Sequence, residues 1–462
     1  MKRILLLIAA VHFSAAFGNV WDKVTIKGVT DKENPVAYRA GEPIVLSLVA
    51  DNVPPDLKCA DYFFEWKRTG DDGKIETGKS DFKPGTFAVV STKLDIPGFV
   101  RIEGYVKDKA SGRAVKRDKA APGAPWWAPL KEVFFDGGAG VDVNLIVQEK
   151  PEPADFDDWW RRQKEILAGV EIKAEKKLVK QLNGCDVFAL SVACAGPRPV
   201  TGYLFVPTGA KPKSCGARIA FQGYGFYKQG CPDWASWSCR NNNEIFLEIN
   251  AHGYELGRED SYYKEFEKSC RPAKYTYAFS PEENAKPETA YFRNMAFRVM
   301  RALEYLKSMA EWNGKSLIAE GGSQGGLQTS WAAGLDRDVT LARPSITWGC
   351  DFAMVSGERK RLKGNWFIPY APGLDYFDSI NHIRRAKCPV EITRAGLGDY
   401  TCPPSGLAAY YNAIQAPKSI NWVQGSRHGY VPPDPNQRYV VKDGHEQSGA
   451  ESKSQSASAD VK

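Results

Sequence analysis

From Cys185 to about Ser426, short runs rich in β-branched residues alternate with stretches of helical periodicity. No other feature of the chain constrains its fold as much. The strand-like pieces are CDVFALSV, TGYLFVP, ARIAFQGYG, EIFLEINAHG, SLIAEGG, PSITWGCD, CPVEITRAGLGD and SINWVQGS. Between them lie helical patterns such as FRNMAFRVMRALEYLKSMAEW, whose apolar positions recur at three and four residues. Parallel strands need long crossovers, so this order predicts an α/β domain over residues 147–435: a mostly parallel sheet of about eight strands with helices on both faces.

Upstream the texture differs. PIVLSLVA, DYFFEWKR, TFAVVSTKL and FVRIEGYVKD are short, aromatic and β-branched, and Gly, Pro and Asp turns separate them. They predict a smaller all-β, immunoglobulin-like sandwich over residues 19–146. Cys59 is its only cysteine, so no Cys–Trp–Cys framework supports an antibody-type domain. VQEKPEPADF reads as a linker into a helix that Asp155 caps, with Asp157 and Asp158 at its positive start. Residues 1–18 combine Lys2 and Arg3 with an apolar run too short to span a bilayer, then small residues. They predict a cleavable signal peptide, hence a secreted or periplasmic protein without a membrane span. Residues 436–462 are small and polar and are expected to be a disordered tail.

The formal charge of +7 is spread along the chain, which gives nucleic-acid binding little support. Ten cysteines in an exported chain permit disulfides, and Cys231, Cys239 and Cys270 are the preferred source of one. Cys388 and Cys402 flank a strand, too far apart to pair. No CxxC pair and no HExxH is present, so no metal or other cofactor is expected.

The chemistry gathers at EGGSQGGLQ, where Gly321-Gly322-Ser323-Gln324-Gly325 fits G-x-S-x-G between a strand and a helix. Glycines there let the two backbones approach, and a serine at the apex projects its hydroxyl above the strand ends. A hydroxyl needs a base to take its proton. Elbows of this type order their groups serine, acid, histidine. His12 leaves with the leader, His252 precedes Ser323, His382 precedes a strand, and His445 lies in the tail. His428 follows the strand SINWV directly and is the expected base. Asp399, after the preceding strand, is the expected acid; Asp375 and Asp378 lie on its wrong side. Backbone N–H groups of Gln324 and of Tyr224, in QGYG, are the expected oxyanion donors. Trp234, Trp237 and Trp348 are candidate walls of the substrate cleft, with core packing an equal alternative. Trp126 and Trp127, in APWWAP, read as core or interface residues ahead of sugar-stacking ones.

From about Pro153 to Tyr430 the chain resembles the acetyl xylan esterase and cephalosporin C deacetylase group, carbohydrate esterase family seven of the α/β-hydrolases. The matching pieces are PADFDDWW, FQGYG, GGSQGG, CDF, CPVEITRAGLGDYTCPPS and HGY. The resemblance implies Ser323, Asp399 and His428 as triad, Tyr224 and Gln324 as oxyanion hole, and removal of acetyl groups from sugar hydroxyls without a metal. The family usually has Arg-Gly-Gln-Gly where this chain reads NAHGYELGRED, and a histidine at Gln222. Its usual members lack the β-rich extension and are compact oligomers, which leaves a homo-oligomer open here.

The expected function is therefore a secreted serine esterase acting on acetylated xylan or its oligosaccharides. The rivals are a general short-chain carboxylesterase, a serine peptidase on the same fold, and a non-catalytic carbohydrate-binding protein. The extension is too short for the propeller usual in such peptidases. Cys402, three residues past the acid, reads as a free thiol near the pocket.

Overall fold

The computed structural model describes residues 19–446 apart from 126–128, 227, 272–273, 355–360, 365 and 444. The leader and the Trp126–Trp127 pair lie outside the described residues. The N-terminal part holds β1 (Thr25–Thr30), β2 (Pro43–Asp51), β3 (Tyr62–Gly70), β4 (Glu76–Asp81), β5 (Gly85–Lys93), β6 (Gly98–Asp108) and β7 (Phe134–Val141). They form two antiparallel sheets, β1-β2-β5 and β4-β3-β6-β7. In β2 the alternate residues Ile44, Leu46, Leu48 and Ala50 are buried. They share one core with Phe64, Ile102 and Val141 of the other sheet. Burying one face of each sheet in this way is what period-two alternation dictates.

The second part begins with α1 (Phe156–Ala168). Asp155 stands before it without a side-chain capping bond. Instead its carboxylate accepts from Tyr376 Oη at 2.5 Å, so the expected cap is a tertiary anchor. Then come β8 (Ala174–Leu182), β9 (Cys185–Val192), β10 (Val200–Pro207), β11 (Cys215–Phe221), α2 (Ala235–Asn242), β12 (Glu244–Ile249), α3 (Asp260–Ser269) and α4 (Tyr291–Ser308). The chain continues through β13 (Trp312–Gly322), α5 (Gln324–Leu335), β14 (Leu341–Ser345), α6 (Ser379–Ile383), β15 (Val390–Gly396), α7 (Pro404–Ala413), β16 (Lys418–Val423), β17 (Arg438–Lys442) and β18 (His445–Glu446).

These strands make an 11-stranded sheet, ordered β18-β17-β16-β15-β14-β13-β11-β12-β10-β9-β8. The six from β12 to β16 run parallel, and antiparallel strands extend both ends. Eleven replaces the expected eight because the exposed edge strand β8 and the late strands β17 and β18 carry weak apolar alternation. The polar tail therefore starts later than 436: β17 pairs with β16, and Tyr439 and Val441 pack against the main core. That core also takes apolar faces of α1, α4, α5 and α7, so helices cover the sheet. Among the described residues no helix is long and apolar enough to cross a membrane.

All ten cysteines are free thiols. The expected bridge does not form. Cys239 is fully buried with Ala235 and Phe246 beneath α2, whereas Cys270 closes α3, where its Sγ accepts from Arg198 Nη1 at 2.9 Å.

Candidate active site

Because β11, β13, β15 and β16 run parallel, the loops after Phe221, Gly322, Gly396 and Val423 all leave the same rim of the sheet. This is where ligands meet open α/β sheets. Ser323 sits between β13 and α5 with φ 58° and ψ −119°, a conformation a side-chain-bearing residue rarely adopts. Three backbone bonds hold it there: its N–H donates to Ser345 O, and its carbonyl accepts from Leu327 and Trp348 N–H. The glycines explain how strand and helix come so close. A Cβ on Gly321 would lie 2.7 Å from the Gly325 backbone, and one on Gly325 would lie 2.2 Å from Phe221 O.

Asp399 is buried and holds three donors. His428 Nδ1–H reaches its Oδ2 at 2.9 Å, and the N–H groups of Thr401 and Cys402 reach Oδ1 at 3.0 and 3.1 Å. With Nδ1 donating, Nε2 is left as the basic nitrogen. The His428 carbonyl accepts from Arg394 Nη2 of β15 at 3.1 Å. The Cys402 thiol lies where these groups meet, its Sγ 3.8 Å from His428 Nδ1. Burial and then the Asp399 charge push that thiol's pKa well up, and a hydrogen bond with Ser323 partly offsets them. Ser323 and His428 do not hydrogen-bond directly; Cys402 contacts both. The expected free thiol is thus at the centre of the site. Asp399, Cys402 and His428 are also the one group with metal-like spacing among the described residues, with ligand atoms within 4.8 Å of one another.

Across the rim, Gln324 opens α5 and Tyr224 lies in the loop after β11. One phenol ties the two together. Tyr277 Oη donates to Gln324 Oε1 at 2.6 Å and accepts from Gly225 N–H at 3.3 Å, while its ring stacks on Tyr224 at 4.4 Å. Gln328, one turn into α5, donates to Gln222 O at 3.1 Å. His252 supports the same loop from below, placed between Gly225 O and Tyr291 Oη. Burial, then the positive charge of Arg298, holds its imidazole neutral by pushing its pKa far down. His382 is buried against Tyr376 O, and Asp378 caps α6 through Ile380 N–H. Asp378 also accepts from Asp351 and Phe352 N–H, and neither His382 nor Asp378 hydrogen-bonds to Ser323 or His428.

The three candidate tryptophans divide. Trp348 packs with Phe279, Phe292 and Phe352 close behind the serine turn. Trp234 and Trp237 are half exposed, and Trp234 rests on Phe246 at mid-strand, so α2 carries them along the flank of the sheet. An exposed aromatic beside the loop after β11 is Trp366, 42% exposed with its ring 4.8 Å from that of Tyr224. Sequence reasoning missed it because it follows a long irregular stretch with no periodicity.

A family model described as acetyl xylan esterase (AXE1) matches residues 143–359 and 371–442. The acetyl esterase Axe7A of Xylanibacter ruminicola is 28% identical over 292 residues, covering 60% of this chain. The chain spans 64% of the length of that curated relative. Among solved structures, the acetyl xylan esterase from Paenibacillus sp. R4 superposes with a TM-score of 0.52 at 25% identity, over 63% of this chain and 94% of that one. Acetyl xylan esterase 1 from Thermoanaerobacterium sp. JW/SL YS485 shares the fold with a TM-score of 0.51 at 19% identity, over 63% of this chain and 93% of that one. With its model match covering more than half of the sequence, this chain belongs to the acetyl xylan esterase family.

Proposed function

We propose that the protein is an exported serine esterase of α/β-hydrolase type that removes acetyl groups from acetylated xylan or xylo-oligosaccharides. One observation carries the reading. Ser323 stands left-handed at φ 58° on the rim where buried Asp399 fixes His428 in the tautomer that leaves Nε2 basic. Family membership supports the acetyl group as the one transferred.

His428 Nε2 takes the Ser323 proton as Oγ attacks the acetyl carbonyl carbon. In sites of this kind the nucleophile–base contact tightens when substrate binds. Backbone N–H groups of Gln324 and Tyr224 receive the tetrahedral oxyanion, the first at the positive start of α5. The carbon–oxygen bond to the sugar then breaks, and imidazolium returns its proton to the departing alcohol. Water, deprotonated by the same nitrogen, attacks the acetyl-serine and releases acetate. The N-terminal sheets are taken as an immunoglobulin-like sandwich, and the Lys2–Arg3 leader supports export.

The test is acetate release from acetylated xylan, xylo-oligosaccharides and acetylated monosaccharides by wild type and Ser323→Ala. Release by wild type and none by the variant is expected. Faster cleavage of butyrate than acetate esters would favour a general carboxylesterase, and undiminished release by Ser323→Ala would remove the mechanism.

A further inference from the structure

The rim that carries the acid and histidine loops is also lined by a strand of the N-terminal part. Strand β7 is buried along its whole length because it faces two neighbours. Phe135, Ala139 and Val141 enter its own core, while Phe134 packs edge-on against Tyr430 at 5.3 Å. Asp136, between them, is fully buried. Its two oxygens take Nε and Nη2 of Arg101 at 2.8 Å each, and Oδ2 also accepts from Arg427 Nε at 2.9 Å.

These partners reach the residues that flank both halves of the acid–histidine pair. Arg427 immediately precedes His428, and its Nη2 donates to Tyr105 Oη at 3.1 Å. The Arg101 guanidinium lies 4.5 Å over the ring of Tyr400, the residue after Asp399. Gly398, the residue before Asp399, comes so near that a Cβ there would lie 2.1 Å from Asp136 O.

We propose that Asp136 is a positioning residue for the reaction: through Arg427 and Arg101, one carboxylate from the N-terminal part fixes the His428 and Asp399 loops relative to each other. This rests on the esterase reading above. A planar guanidinium paired with a carboxylate is directional, whereas a buried ion pair is a poor source of net stability. Orientation is therefore what the arrangement supplies. The N-terminal part is then a wall of the active site rather than a detachable sugar-binding module.

The test is steady-state hydrolysis of a chromogenic acetate ester across pH by the full chain. A shift of the imidazole by about 1 Å costs on the order of a hundredfold, so Asp136→Asn should lower kcat by at least about tenfold with KM little changed. The groups facing His428 are Asp399 and Cys402 from the acid loop and Arg394 from β15, while Arg427, its neighbour in sequence, turns to Asp136. Asp136→Asn removes a negative charge from behind the histidine loop, so the acidic limb of kcat/KM should move to lower pH. Asp136→Glu should recover part of the rate. Phe64→Leu, in the core of the N-terminal sheets, should lower the melting temperature yet keep the wild-type kcat and pH profile. A folded Asp136→Asn with both unchanged overturns the proposal. If that variant does not fold, Arg427→Lys decides: it keeps the charge but loses the fork, and a wild-type kcat in it overturns the proposal equally. Activity surviving in Ser323→Ala would instead refute the esterase reading itself.

Discussion

Replacing Asp399 by Asn tests the electrostatic logic of the site with almost no change of shape. Oδ1 accepts two backbone N–H groups, from Thr401 and Cys402, at 3.0 and 3.1 Å. The amide oxygen of an asparagine must stay there, because turning the NH2 toward two donors would orphan all three. The NH2 then faces His428 Nδ1, which sits 2.9 Å from Oδ2 in the wild type. Nδ1 becomes an acceptor, the ring proton moves to Nε2, and the nitrogen that should receive the serine proton is already protonated. The wrong tautomer in a Ser-His-Asp site costs about 10⁴-fold in turnover, or about 5.5 kcal/mol of transition-state stabilisation. The assay is hydrolysis of 4-nitrophenyl acetate near neutral pH, with circular dichroism to show that the variant is folded. A folded Asp399→Asn enzyme within tenfold of wild type would refute the tautomer argument and the role of Asp399 with it.

Other outcomes follow from the same geometry. Gly325→Ala places a Cβ 2.2 Å from Phe221 O, backbone against backbone, so urea unfolding should show a loss of about 1–3 kcal/mol, and an unchanged midpoint would contradict the close approach. Burial pushes the His382 pKa from 6.5 down to about 3 in the fold. The unfolded chain therefore binds the proton first as pH falls through 6.5, and stability present above that value drains away toward about 3. By pH 5 the loss from this residue is about 2 kcal/mol, which His382→Gln should remove; parallel stability slopes for variant and wild type would refute it. Trp366→Ala should raise KM for acetylated xylo-oligosaccharides about fivefold, the loss of one aromatic contact, while leaving a small acetate ester unaffected. Equal effects on both substrates would show that this indole does not meet sugar.

The serine turn was legible because glycines on both sides of a serine, set between a strand and a helix, carry a steric meaning that survives without coordinates: they let the two backbones approach closely. That Asp399 and His428 meet was legible because parallel strands place every following loop on one rim, so chain order brings these two loops together. β7 was not legible. FFDGGAGV carries an acid and three glycines and lacks the β-branched run that marks the other strands. It is a strand because it pairs along its length with β6, and it carries glycines because Val100 O and the Gln424 side chain come too close for side chains there. Strand β14 was expected to start at Pro344 but covers Leu341–Ser345, since pairing with β13 selects LARPS over the more apolar residues that follow. Trp234 and Trp237, candidates for cleft walls or core packing, lie along the flank of the sheet, since nearness in sequence to the loop after β11 says nothing about the direction in which α2 leaves it. Asp136 and Arg427, 291 residues apart, meet only through the docking of two parts whose surfaces no local pattern encodes.

The extension and the α/β part are tied together by buried hydrogen bonds. Gln424 holds Gly138 through both its amide atoms, at 2.8 and 2.7 Å, and Ser405 at the start of α7 bonds to Asp71 of the N-terminal part. An insertion that loosened this seam would reach the histidine loop before it reached the core.

The nucleophile itself is open to direct identification. Acid-quenching the enzyme during turnover of an activated acetate ester and mapping its peptides by mass spectrometry should find an added acetyl group, about 42 Da, on Ser323. An acetyl group on a different residue, or none during steady turnover that persists in Ser323→Ala, would contradict the account.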